Sequence, residues 1–298
     1  MLDELLAAKR VPALRDFTLE DLLEAVERGH AQVRLGIVVP RFAGGSISAS
    51  DLVFYNSANM TTDSSSTTGG AIDTLRRPDF TQMSQTETVK VQSSSTSDNF
   101  AAGTTVTITG RLADGSLASE TLSLTSGQNW NANPKTTSNS YERILKVEMS
   151  QTGTGTFTIS GTTSLTTFRT IPAGERGFQA MFQQLASSTT GATNWYEKIF
   201  VKNTNGSLAL TSATVTINAD PQGVFTFWLA ASLNDSATVA NRTTAPGGSS
   251  FNTGPQNVAN SQNLSSGSAQ GIWLKLALAQ NNAALRSTLT LELDGQTT

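Results

Sequence analysis

The sequence predicts a mainly β protein: two antiparallel β-sandwich domains, Ig-like or jelly-roll-like, preceded by a short α-helical segment and an extended arm. Three observations predict it. From Glu87 onward apolar residues alternate with polar ones at a period of two, the pattern of half-buried strands. Short runs are separated by turn signals such as Asp114-Gly115 and Asp220-Pro221. Charge is uneven: 13 of the 43 charged residues lie at or before Arg41, a helix-like density that then vanishes. With 298 residues the chain has length for about two domains of roughly 100–200 residues each.

Residues 1–43 form the helical segment. Thr18 is a good N-cap with Asp21 completing a capping box, and Phe17 and Leu22 stand where a hydrophobic staple closes a helix start. Leu19, Leu22, Leu23 and Val26 follow the i, i+3, i+4, i+7 pattern, so this stripe must be covered, either by the protein's own core or by a neighbouring subunit. These four residues are the candidate assembly contact. Gly29 ends the helix, and His30 beside it suits the helix C-terminal dipole as a surface cap. Residues 44–86 are rich in Ser, Thr and Gly, interrupted by Leu52-Val53-Phe54-Tyr55 and closed by Arg76-Arg77-Pro78, and read as an arm or linker.

The first sandwich is expected over 87–171. Val89 and Val91, Val106 and Ile108, Leu122 and Leu124, Leu145 with Val147 and Met149, and Phe157 and Ile159 mark its strands. Pro172-Ala173-Gly174 is the expected seam. The second sandwich, 172–298, has strands at Trp195 to Val201, around Val215 and Ile217, at Phe225 to Leu229, at Ile272 to Leu278 and at Leu289 to Leu293. Asn241 to Asn263 is a long loop, and Asp294-Gly295 reads as an exit turn.

Composition closes many functional classes. The chain carries 77 Ser plus Thr and 34 Asn plus Gln, against a net charge of only −3. Twenty Lys and Arg in an acidic chain supply no field for phosphate, so no nucleic acid partner is expected. Zero cysteines exclude disulfides, thiolate metal sites and Cys nucleophiles, and one histidine removes the commonest general base and metal ligand. The acidic start Met1-Leu2-Asp3-Glu4 is unlike a secretory signal, and no apolar run approaches the roughly 20 residues of a spanning helix. A soluble chain made in the cytoplasm, with no membrane insertion, is the expectation.

No catalytic constellation emerges, and no cofactor or metal is expected. Gly-x-Ser-x-Gly is absent. Asp98, Asp114, Glu120, Glu142, Glu148, Glu175, Asp220 and Asp235 are the carboxylates from which a glycosidase pair would have to come, but most fall in turns or alternate outward. Trp228 and Trp273 lie in apolar strands and read as core, or as edge residues at a subunit contact. Trp130, in the polar run Gly127 to Asn131, is the candidate surface-binding aromatic, with packing in the core as the favoured alternative.

Three segments, Val106 to Leu124, Tyr141 to Val147 and Gly155 to Ile159, resemble a sandwich module of bacteriophage head and tail proteins. Val201 to Asn205, Asn241 to Pro246 and Ala269 to Leu276 are similar to repeated modules in such proteins. The likeness spans about Glu87 to Thr298 and rests on strand and turn patterns. It implies a non-enzymatic virion structural protein, synthesised in the host cytoplasm, most simply a capsid decoration or cement protein or another head or tail component. The partners implied are other virion proteins and further copies of the chain. The alternative is a tail fibre or baseplate module that binds a receptor or a host surface glycan.

Overall fold

The computed structural model describes residues 35–38, 47–60, 65–183, 185, 188–282 and 289–297. The predicted helix and its stripe, Leu19, Leu22, Leu23 and Val26, lie outside the described residues, as does His30. What is described is mainly β, in several sheets whose pairings are antiparallel apart from two. Strands are numbered along the chain.

The alternating run after Glu87 builds two sheets. One has the order β5 (Arg76–Arg77), β13 (Gly177–Gln179), β10 (Tyr141–Met149), β7 (Val106–Leu112), β8 (Leu117–Leu122). The other has the order β12 (Thr167–Ile171), β11 (Phe157–Gly161), β6 (Val89–Ser93), β9 (Lys135–Thr136). Val89, Val91, Phe157 and Ile159 from one share a buried cluster with Val106, Ile108, Val147 and Met149 from the other. The expected alternation is seen directly in β6 and β11, where every second residue is buried. Asp114-Gly115 forms the β7–β8 turn: Gly115 takes φ 80°, and Asp114 Oδ1 accepts from the Ser116 N–H at 2.9 Å.

Two further sheets share the second core. Their orders are β16 (Phe225–Leu233), β19 (Ala269–Leu278), β14 (Thr193–Asn203), β2 (Leu52–Ser57), β4 (Ile72–Asp73), and β1 (Leu35–Val38), β20 (Leu289–Thr297), β15 (Leu210–Ala219), β18 (Gln256–Asn257). Phe54, Ile199, Val201, Phe227 and Leu274 meet Leu210, Val215, Leu291 and Leu293 in one buried cluster. A ribbon of β3 (Thr68–Gly69) and β17 (Thr238–Val239) completes the described sheets, and only β5–β13 and β1–β20 pair in parallel.

Four expectations are corrected. The segment read as helical, 1–43, contains a strand at residues 35–38: β1 pairs in parallel with β20 from Leu35↔Leu289 to Val38↔Glu292 and so belongs to a sheet. The segment read as an arm contributes β2, all six residues of which are buried, paired with β14 from Leu52↔Asn203 to Asn56↔Ile199. Both its faces are covered: Leu52 and Phe54 enter the core, while Tyr55 lies under the Arg77 guanidinium at 4.8 Å. A strand buried on both faces reads as a continuous apolar run and shows no alternation. Pro172-Ala173-Gly174 does not end the strands that belong with the earlier sheets, because β13 pairs back onto β10 from Lys146↔Gln179 to Glu148↔Gly177. Asp294-Gly295 is not an exit turn but lies inside β20, where Asp294 pairs with Thr214. Gly295 is needed there for close packing, since a Cβ would lie 2.6 Å from Leu210 Cγ.

Candidate functional site

The charged residues that composition made scarce are concentrated where one part of the fold must be held to another. The first such place is the segment 72–77, which crosses from β4 in one sheet to β5 in another. On β5, successive side chains point to opposite faces. Arg76 turns to Asp73 at 2.5 Å and to Glu148 on β10, which Lys146 also contacts. Arg77 turns the other way: its Nε donates to Glu175 Oε1 at 2.7 Å and its guanidinium covers Tyr55. Arg169 on β12 extends this group, donating to Asp79 Oδ2 at 2.8 Å and lying 3.9 Å from Glu175 Oε2. Three sheets therefore meet through one dipeptide and its carboxylates.

The electrostatics differ on the two faces. Burial alone would raise the Glu148 carboxyl, but the contacts with Lys146 and Arg76 outweigh it and hold Glu148 below its ordinary value. For Glu175 burial wins, and its carboxyl is raised in spite of Arg77.

The same alternation recurs on β14. Glu197 and its neighbour Lys198 are both buried and face opposite sides of the strand. Glu197 accepts from the Phe182 N–H at 2.7 Å and pairs with Arg242, whose Nη1 donates to the Gln183 carbonyl at 3.1 Å. This ties residues 182–183 and the loop containing Arg242 to the strand. Lys198 pairs with Asp235 and donates to the carbonyls of Gly70 and Asp235 at 3.0 and 3.1 Å. Its Nζ lies 5.4 Å from the Trp273 ring centre and 4.9 Å from that of Phe200, so the ammonium is screened from water by aromatic faces. Burial raises the Glu197 carboxyl and lowers the Lys198 ammonium, each opposed by its ion-pair partner.

Two more buried carboxylates hold turns. Glu87 accepts from the N–H groups of Thr163 and Ser164 at 2.7 and 2.9 Å and from the Ser164 hydroxyl at 2.5 Å, fixing the β11–β12 turn that presents the exposed Leu165. Burial opposes ionisation of Glu87, but these donors prevail and its carboxyl is lowered. Asp98 accepts from the Thr154 and Gly155 N–H groups at 2.7 and 3.0 Å, and its carbonyl accepts from the Trp130 N–H at 2.8 Å.

That last bond decides between the two readings of Trp130, surface platform and the favoured core packing. Trp130 is fully buried and stands edge-on to Phe157, with ring centres 5.8 Å apart, so it is a core residue and offers no surface platform. The run around it is polar because its backbone and side chains bond inward to β6, as when Asn131 Nδ2 donates to the Ser93 carbonyl at 3.1 Å. Trp273 is fully buried as expected, with Trp228 packed against its cluster.

Among the other carboxylates weighed from sequence, Asp114 and Asp220 serve turns, and Glu120 caps the Ser138 and Asn139 N–H groups at 2.7 and 3.0 Å. The partners of these side chains are backbone donors, hydroxyls and cations. That arrangement can fix geometry. Among the described residues no cluster of three His, Asp or Glu side chains is placed to hold a metal ion, and no helix is long and apolar enough to cross a membrane.

No protein-family model, no curated protein and no solved structure matches this chain.

Proposed function

We propose that this is a non-enzymatic structural protein of a bacteriophage particle, built from two β-sandwich modules and serving as a capsid decoration or cement protein or another head or tail component. The observation that carries this reading is the use made of buried and part-buried charge. Glu87, Asp98, Glu148, Glu175, Glu197 and Asp235 all hold a loop, a strand or a neighbouring sheet in place. Such a distribution stiffens a molecule and leaves these groups committed to structure. The four main sheets, pairing into two cores, are the basis for the two-module description. The loop beginning at Asn241 is folded on itself, with Asn241 Oδ1 accepting from the Thr243 N–H at 3.0 Å, which suits a framework better than an adaptable glycan site.

In this reading the part of segment 1–43 that precedes β1, with Leu19, Leu22, Leu23 and Val26, is the attachment element to other virion proteins. Two measurements test it. Immunoelectron microscopy of purified particles should place the protein at regular sites, and a chain beginning at Leu35, which keeps β1 paired with β20, should fold yet fail to incorporate. Absence from particles, or hydrolysis of host polysaccharide by the purified chain, would overturn the proposal.

A further inference from the structure

The outer edge of β8 is the feature left without a role by the charge network. β8 is the terminal strand of its sheet, six residues long, paired only with β7 from Val106↔Leu122 to Arg111↔Leu117. Along its other side, among the described residues, no hydrogen bond is made to the backbone of Leu117 to Leu122. Sheet edges of this length are ordinarily shortened, covered or guarded by charge, proline or a bulge. Other edges of this fold follow that rule. β5, β4, β9 and β18 are two residues long. Asn252 bonds both ways to Phe227 along β16, and the Thr81 N–H reaches Phe168 on β12. β8 has no proline, its pairing with β7 has no bulge, and its one charge, Glu120, is drawn aside to cap Ser138 and Asn139. Leu117 stands 50% exposed on it.

We infer that β8 is a self-association edge, pairing antiparallel with β8 of a second copy of this chain about a two-fold axis at Ser119. The charge pattern fits that partner. In an antiparallel pair, residues directly opposite share a face, so an axis at Ser119 sets Leu117 against the copy's Thr121 and Ala118 against the copy's Glu120. No two charges meet, the exposed leucine gains a neighbour, and the unpaired backbone groups of both strands are satisfied. The symmetric pairing uses one patch twice and closes, as isologous dimers do. The inference stands apart from the virion reading, since it concerns only what this edge binds.

The test uses the full chain, which contains no cysteine. Light scattering should give a molar mass twice that of the monomer, and Ser119→Lys, which sets two like charges directly opposite, should halve it. Ser119 is exposed, so the substitution spares the core. In a separate variant, Ser119→Cys should form an intermolecular disulfide under mild oxidation, because facing residues lie about 4.5–5.5 Å apart between Cα atoms. Thr109→Cys, one strand inward on the same face, should not, since its copy would be about 14 Å away across three strand spacings. A monomeric wild type, an assembly unaffected by Ser119→Lys, or equal cross-linking of the two cysteine variants would overturn the inference.

Discussion

Glu87 and Lys198 show what single side chains contribute to this protein. The Glu87 carboxylate satisfies three donors of one turn, and a hydrogen bond to a charged group contributes a net of about 1.5–3 kcal/mol. Glu87→Gln, which keeps the shape and loses the charge, should lower unfolding free energy by about 2 kcal/mol in a denaturant titration at neutral pH. The sign with pH follows from the lowered carboxyl of Glu87 in the folded state. Its stabilisation is present above the ordinary carboxylate value and is lost as pH falls through the folded one. The wild type should therefore lose stability in acid over a range where Glu87→Gln changes less. Glu175 and Glu197, raised by burial, act in the opposite sense and favour the folded state as they protonate. Lys198→Met places an apolar chain among Trp273 and Phe200 but strands Asp235. Breaking such a pair costs about 3 kcal/mol, near the low end for buried ions because Asp235 keeps some contact with water. Adding Asp235→Asn should restore part of that loss. None of these partnerships was legible in the sequence: Glu87 meets Ser164 and Lys198 meets Asp235 only after folding, and no spacing encodes them.

At the scale of elements the sequence was far more readable. β6, β7, β11 and the alternating half of β10 follow from period-two patterning, because each has one face on a core and one on solvent. β2 escaped, since burial on both faces erases alternation, and its neighbours are rich in Ser, Thr and Gly. β13 escaped because three residues carry no period, and β20 was cut short because Asp-Gly normally marks a turn. Trp130 took the favoured of its two readings, core packing, although the run around it is polar: that polarity reflects inward hydrogen bonds. Gly110 offers a test at this scale. It lies on β7 facing a register shift in β10, and a Cβ there would collide with the Arg143 carbonyl oxygen and the Tyr141 ring. Gly110→Ala should cost about 1–3 kcal/mol through overpacking, read as a shift of the denaturation midpoint at unchanged slope.

At the scale of the whole molecule, the contacts that run between its two larger cores matter most. The segment 72–77 hands the chain from one set of sheets to the other, and its arginines bind carboxylates on strands and loops of both. Arg77→Met should remove the guanidinium from Tyr55 and leave the buried Glu175 with the more distant Arg169. Calorimetry should then resolve two transitions where the wild type shows one, because coupling between the cores is lost while each core stays intact. A single unchanged transition would show that the coupling lies elsewhere.

The arrangement of Arg76 and Arg77 on opposite faces also makes the segment sensitive to length. A strand has a period of two, so inserting one residue between Arg76 and Arg77 would put both side chains on the same face and turn one guanidinium away from its carboxylate. Two inserted residues would restore the faces and only lengthen the crossing. Relatives of this chain, where they vary here, should therefore differ by substitution or by even-numbered insertions, a parity rule written into the chain by one pair of adjacent arginines.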